Sequence, residues 1–227
     1  MKITLIHGQN HQGSTYHVAH RLAEQLEGDV TEFFLPKDFE ASCRGCLTCL
    51  NKGREFCPQA EKLSKIFSAM LSSDVLIVGS PTYCMEMSGQ LKSFFDHLFT
   101  AWLSHRPEAA MFSKTAVVVS TAAGAGMTNV TKSLARQMFY LGVAKVYRLP
   151  LRVAANSWAQ VKNKNNIVKK TAALAKRIND KQKKAKPGLK LRLMFMIMRM
   201  MQKGNDWSPL DREHWEKQGW LAKQRPF

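Results

Sequence analysis

Residues 74–98, DVLIVGSPTYCMEMSGQLKSFFDHL, constrain the fold more than any other stretch. Residues 75–78 are an unbroken apolar run, short and rich in β-branched side chains. A strand buried on both faces, as in a parallel sheet, reads that way. Gly79, Ser80 and Pro81 end it, and Pro81 drives Ser80 toward extended backbone. Ser88 is placed to cap a helix on which Leu91, Phe94, Phe95, Leu98 and Phe99 recur at helical spacing. Loop 81–87 therefore joins the carboxyl end of a strand to a helix start. In open α/β sheets, ligands bind at that rim.

The same pattern opens the chain. Residues 2–6 read as a strand, residues 9–13 as a polar loop, and Ser14 or Thr15 as the cap of a helix carrying Val18, Leu22 and Leu26. That loop offers backbone N–H groups, hydroxyls and the positive end of a helix dipole, which suit a phosphate. It matches neither GxGxxG nor GxxxxGK[ST]. His11 reads either as a phosphate donor or as an exposed loop histidine. Residues 30–35 form a second strand candidate, 61–71 a helix, 115–120 a further strand, 129–141 a helix and 144–149 a fifth strand. After residue 120 comes the small-residue run Thr121, Ala122, Ala123, Gly124, Ala125, Gly126. Strands alternating with helices imply a parallel sheet with right-handed crossovers.

The string SPTYCMEMSGQLKSFFDHL resembles the flavin-contacting loop and helix of the NAD(P)H-dependent FMN reductase group, within the flavodoxin-like superfamily. Ser80, Pro81, Tyr83, Gly89, Lys92, Phe95 and Asp96 match the usual pattern as they stand. The first loop is similar to the group's Gly-Ser-x-Arg-x-Gly-Asn-Thr. Gly8, Gly13 and Thr15 match, Ser14 stands at the Asn position, Gln9 replaces Ser and His11 replaces Arg. The run 121–124 resembles the third flavin loop, where small residues let backbone approach the ring.

The resemblance covers the first two-thirds of the chain and implies an α/β, flavodoxin-like three-layer sandwich. Its five-stranded parallel sheet has order 2-1-3-4-5, with helices on both faces and a C-terminal helical extension. Residues 1–186 are the expected FMN-binding domain and 187–227 a helical, tryptophan-rich tail. The implied cofactor is FMN. Gly8, Gln9, His11, Gly13, Ser14 and Thr15 would surround its phosphate. Pro81, Thr82, Tyr83, Cys84, Met85, Thr121, Ala122, Ala123 and Gly124 would frame its ring. NAD(P)H would give a hydride, and a quinone-like, flavin, other small-molecule or protein acceptor would take the electrons. No side chain is expected to be catalytic, because the hard chemistry belongs to the cofactor. Cys84 reads as a packed small residue of the flavin loop or as a ring contact. A non-enzymatic binding protein on this fold is the remaining class.

Cys43-x2-Cys46-x2-Cys49-x7-Cys57 is a compact cysteine cluster. Four thiolates at such spacing can hold a [4Fe-4S] cluster, and a set of four cysteines also suits structural zinc. The motif resembles that of iron–sulfur flavoproteins, which implies an electron-transfer protein. The preferred expectation is bare thiols, at the same sheet rim as the flavin loops. Arg44, Lys52 and Arg54 would lower their pKa values. Five cysteines with four clustered are not a secreted disulfide framework. The first apolar run is too short for a signal peptide, and no run spans a bilayer, so a cytoplasmic protein is expected.

Net charge is +17 and uneven. Residues 1–156 hold 16 basic and 12 acidic side chains, whereas residues 157–227 hold 18 and 5. The basic segment reads as a solvated helix face. Peripheral contact with anionic lipid is the sharper reading, and nucleic acid is not expected as a partner. Residues 165–180 read as an amphipathic helix, 181–186 as a basic run, and Pro187-Gly188 as a break. Residues 189–201 form a helix apolar nearly all round, with five of the chain's 12 methionines. It is expected to be buried against the domain or a dimer partner. Methionine-rich surfaces also adapt to varied partners, and basic-apolar helices lie on membranes. Residues 206–221 carry three of the five tryptophans and resemble a tail seen in one branch of these flavoproteins. Docking on the domain or across a homodimer is expected.

Overall fold

The computed structural model describes residues 1–155, 157–180 and 184–227. Residues 181–183 of the basic run lie outside the described residues. Strands β1 (Lys2–His7), β2 (Asp29–Phe34), β3 (Val75–Pro81), β4 (Thr115–Ala122) and β5 (Lys145–Arg152) form one parallel sheet, in order β2-β1-β3-β4-β5. This is the flavodoxin-like order. All seven residues of β3 are buried, so the apolar run carries no polar face. Gly79 pairs with His7 on one side and Val119 on the other.

The helices are α1 (Ser14–Glu24), the single turn α2 (Thr48–Asn51), α3 (Ala60–Ser72), α4 (Gly89–His97), α5 (Met127–Tyr140), α6 (Lys164–Asn179), α7 (Leu189–Lys203) and α8 (Pro209–Lys217). Alternation along β3 divides the core. Val75 and Ile77 join Ile3, Leu5, Val117 and Val119 under α1 and α6. Leu76 and Val78 join Ile6, Ala116 and Val118 under α3, α4 and α5. Each fully buried Val, Leu or Ile contributes about 1.5–3 kcal/mol, so a charge at Ile77 would break the fold from its centre. Lys114 secures the end of α3. Its buried ammonium donates to Leu71 O at 2.7 Å and to Ser73 O, and burial lowers its pKa.

The strand ends depart from the sequence reading. Gly79, Ser80 and Pro81 do not end β3: they continue it, with Pro81 opposite Thr121 of β4, which itself runs to Ala122, and β1 runs to His7. β2 ends at Phe34, one residue earlier than expected, although Leu35 N–H still donates to His7 O at 2.9 Å. β5 runs to Arg152 through Pro150. A proline is tolerated there because β5 is an edge strand.

Helices α7 and α8 pack outside the sandwich. Leu191, Phe195, Trp215 and Trp220 form one cluster with Leu103 and Phe112. Two of the three tail tryptophans therefore dock on their own chain. Within the single chain, α7 is buried on one side only. Leu191, Phe195 and Gln202 are buried, whereas Leu189, Leu193, Ile197, Met200 and Met201 are exposed.

Candidate functional site

The carboxyl ends of β1, β3 and β4 bring the three predicted loops together, and short polar side chains tie them. Gly8 N–H donates to Gly79 O at 2.7 Å. A Cβ on Gly8 would lie 2.7 Å from Ser88 Oγ and 3.0 Å from Gly79 O, so only glycine fits that crossing. Ser88 stands at the N-cap of α4 but does not cap it. Its hydroxyl donates to Gly8 O instead, and its N–H donates to Ser80 Oγ at 2.9 Å. The hydroxyl proton thus goes to a carbonyl just past β1, and the hydroxyl oxygen takes no N–H from the first turn of α4.

The expected cap of α1 is also corrected. Gly13 is the N-cap, with no side-chain hydrogen bond. The Thr15 hydroxyl is buried against Thr121 Oγ1 at 2.7 Å. One hydroxyl proton closes that pair, and the second has no further protein acceptor among the described residues. The N–H groups of Ser14, Thr15 and Tyr16 precede the first intrahelical bond, made by His17 to Gly13 O. These donors meet the needs of a phosphate without a fixed cation. Gln9 Nε2 donates to His11 Nε2 at 3.0 Å. A Cβ on Gly13 would lie 2.5 Å from that imidazole nitrogen, so His11 closes over the glycine. Tyr83 Oη donates to Gln9 Oε1, tying the first loop to the second.

The second loop is a tight turn. Tyr83 N donates to Glu86 O and Glu86 N to Tyr83 O, both at 2.9 Å. Between them Cys84 and Met85 have φ of 48° and 67°. Paired left-handed residues in such a turn are usually Asn and Gly. Here each costs about 1–2 kcal/mol, and strain of this kind collects at ligand-binding sites. Cys84 is exposed, which corrects the packed reading. Tyr83 and Met85 are exposed beside it. Thr82 N–H donates to Thr121 O at 3.0 Å, and Thr82 Oγ1 pairs with Ser120 Oγ at 3.0 Å.

Sequence reasoning did not assign Gly126 to the site. Its φ is 94°, and a Cβ there would lie 2.5 Å from Thr82 Cγ2 and 3.1 Å from Met85 Sδ. It lets the third loop, with Ala122, Ala123 and Gly124, close against the second. His7 was also missed. It is buried at the end of β1, meets Glu32 Oε1 at 2.6 Å and stacks on Phe34. Burial lowers its pKa, and the Glu32 contact opposes this. Lys92 and Asp96, which match the family pattern, form an exposed pair on α4. They stand apart from the loop contacts.

The cysteine segment makes different contacts. Cys43 and Cys46 are exposed, Cys49 is buried and Cys57 half-buried. Burial raises the Cys49 pKa, and the nearby Cys57 and Cys43 thiols raise it further. Thr48 Oγ1 donates to Cys46 Sγ at 3.4 Å and lowers that thiol's pKa, whereas Arg44 adds least. Arg54 points away from the thiols. It meets Glu108 at 3.1 Å and lies over Phe67. The segment is held by Arg106, which donates to Leu50 O at 3.3 Å and to Cys49 O. Among the described residues, no three His, Cys, Asp or Glu side chains are gathered to hold a metal ion.

Residues 1–159 match the family model described as NADPH-dependent FMN reductase. An iron-sulfur flavoprotein of Archaeoglobus fulgidus is 28% identical over 198 residues, covering 78% of this chain and 94% of that protein. An FMN-dependent NADH:quinone oxidoreductase of Burkholderia pseudomallei is 27% identical, covering 51% of this chain and 57% of that protein. Among solved structures, an FMN-dependent NADH-azoreductase from Bacillus anthracis in complex with FMN has a TM-score of 0.60 at 14% identity. It covers 79% of this chain and 100% of its own, a likeness of fold.

Proposed function

The chain belongs to the NADPH-dependent FMN reductase family and is an FMN-dependent NAD(P)H oxidoreductase; on that premise we propose that its electrons leave for a small planar acceptor of the quinone class. The observation that carries this reading is the strained turn from Tyr83 to Glu86, which presents an exposed aromatic and an exposed thioether at the rim. A flat, weakly polar molecule suits such a surface. The similarity to a quinone oxidoreductase supports it.

FMN, when bound, supplies hydride acceptance from the nicotinamide and onward release of electrons. The chain's own residues bind and orient. Gly8, Gln9, Gly13, Ser14 and Thr15 would hold the phosphate with neutral donors, and His11 would close over that loop. Pro81 to Met85 and Thr121 to Gly124 would frame the ring. Ser80, Ser88 and Gly126 fix the spacing of the loops, so the donors need not reorganise on binding. Dependence on a reduced nicotinamide supports a cytoplasmic site of action.

The test is quinone-dependent oxidation of NADH and NADPH by FMN-loaded protein, with FMN affinity measured by fluorescence titration. Thr15→Val should weaken FMN by about 1–3 kcal/mol, as for loss of a hydrogen bond to a charged group. Unchanged FMN affinity would remove the phosphate assignment. Nicotinamide oxidation that ignores added benzoquinone would remove the acceptor.

A second reading, an iron–sulfur electron-transfer flavoprotein, is favoured by the neighbourhood of Cys43, Cys49 and Cys57 and by the Archaeoglobus relative. Among the described residues the four thiols do not converge as a ligand set. Iron and sulfide analysis of anaerobically purified protein decides between the readings.

A further inference from the structure

We propose that α7 lays its exposed face on an anionic membrane surface. At 3.6 residues per turn, Leu189, Leu193, Ile197 and Met200 fall within an arc of about 80°. This arc faces away from Leu191, Phe195 and Gln202, which are buried on the domain. Leu189 and Met200 are 83% and 73% exposed. The helix is therefore apolar on the side that meets solvent as well as on the side that meets the core. Packing on the chain accounts for the second side only. A contiguous apolar stripe of this kind marks an interaction surface.

The charges choose the occupant. Every charged residue of α7 is basic: Lys190, Arg192, Arg199 and Lys203. On the helix, Lys190 borders the stripe on one edge, and Arg192 and Lys203 border it on the other. The Lys190 ammonium and the Arg192 guanidinium lean back over the rings of Phe139 and Phe227, leaving the stripe itself uncharged. An apolar face with cationic edges suits the boundary between acyl chains and anionic headgroups, where basic heads stay at headgroup level. A second copy of the same face would bring like charges together, since the charged residues of α7 are all basic. A nucleic-acid backbone would satisfy the charges but leave the leucines, isoleucine and methionines without a partner. The helix spans about 22 Å along its axis at 1.5 Å per residue, and it lies on the surface of the fold. No helix among the described residues is long and apolar enough to cross a membrane. The attachment is therefore peripheral.

The experiment is sedimentation of the FMN-loaded full chain with phosphatidylcholine vesicles, with and without about one-third phosphatidylglycerol. Binding should require the anionic lipid and weaken about tenfold or more when salt rises from about 50 mM to about 500 mM. Leu193→Glu with Met200→Glu should abolish it, while the melting temperature and nicotinamide oxidation stay unchanged. Leu193→Ser with Met200→Ser is the milder pair, should the glutamates disturb folding. Protein that stays in the supernatant with anionic vesicles at low salt overturns the proposal. So does binding that both substituted pairs leave intact, because the basic side chains would then act alone, as on nucleic acid. Light scattering that shows a dimer, dispersed by the same substitutions, would assign the stripe to a second copy and overturn it as well.

Discussion

Asp211→Ala should destabilise this protein more than any exposed substitution in the tail. Asp211 is fully buried on α8, and its carboxylate accepts from His105 Nδ1 at 2.7 Å and Arg106 Nη1 at 2.6 Å. Arg106 also carries the bonds to the Leu50 and Cys49 carbonyls. Alanine leaves a largely buried guanidinium without its counter-charge. Breaking such a pair from one side costs about 3–5 kcal/mol. Arg106 keeps two carbonyl acceptors, which places the loss near the lower end, about 3 kcal/mol. A chain of this size loses roughly 2–4 °C per kcal/mol, so the melting temperature of the FMN-loaded protein should fall by about 6–12 °C. Circular dichroism would measure it. Arg106→Met combined with Asp211→Leu removes both charges and should recover at least half of the loss. Because Arg106 also grips the cysteine segment, iodoacetamide should label Cys49 faster in Asp211→Ala at a temperature where both proteins are folded. A drop within about 1 °C, or a double variant no more stable than the single one, would refute the argument.

Gly126→Ala should cost about 2–4 kcal/mol, from left-handed backbone and the contact with Thr82 Cγ2, and should weaken FMN in a fluorescence titration. Thr82→Ser removes that methyl and should restore part of both; no restoration would place the strain elsewhere. Cys46 and Cys49 should label at different pH values. Thr48 holds the Cys46 thiol low, whereas burial and the two neighbouring thiols hold Cys49 high. Mass spectrometry of alkylation should therefore find the Cys46 midpoint at lower pH than the Cys49 midpoint, and Thr48→Val should move the Cys46 midpoint upward. Coincident midpoints would contradict the contacts that set them apart.

The sheet was legible where burial is two-sided. Residues 75–78 have no face left for polar side chains, so composition alone marks them as a central strand. Strand ends were less legible: β2 and β5 shift at the edges of the sheet, and β3 and β4 run past their apolar runs to Pro81 and Ala122, where Gly, Pro and small residues still pair in the ladder. The three loops were legible as a set, because small and polar residues recur after three strands. Their internal wiring was not. Ser88 and Thr15 look like helix caps by their local sequence, but their hydroxyls serve partners 80 and 106 residues away. Arg54 looks like a thiol activator by proximity along the chain, yet its guanidinium lies over Phe67. The clamp between Arg106 and Asp211 leaves no local signal, since 105 residues separate its members. Periodicity shows which residues face inward, and it is silent about which polar groups meet there.

The two ends of the molecule use charge in opposite ways. At the rim, the ties between loops are made by neutral groups: Ser88 to Gly8, Thr15 to Thr121, Thr82 to Ser120 and Tyr83 to Gln9. Each tie joins two different segments, so no loop can move without breaking a bond to another. A phosphate held by such donors and by a helix terminus gains little from long-range charge, and its affinity should respond weakly to salt. The segment 157–227, which includes α7, carries most of the excess positive charge. Attachment through it should respond steeply to salt. The same protein therefore separates the two functions by one variable. Raising salt should release the tail from an anionic surface before it releases FMN from the rim. The strained turn at Cys84 and Met85 belongs with the neutral end. Its two closing bonds run between Tyr83 and Glu86 and do not depend on any charge. The strain is thus held by hydrogen bonds that salt leaves in place, and the exposed side chains it presents keep their position whether or not the tail is attached.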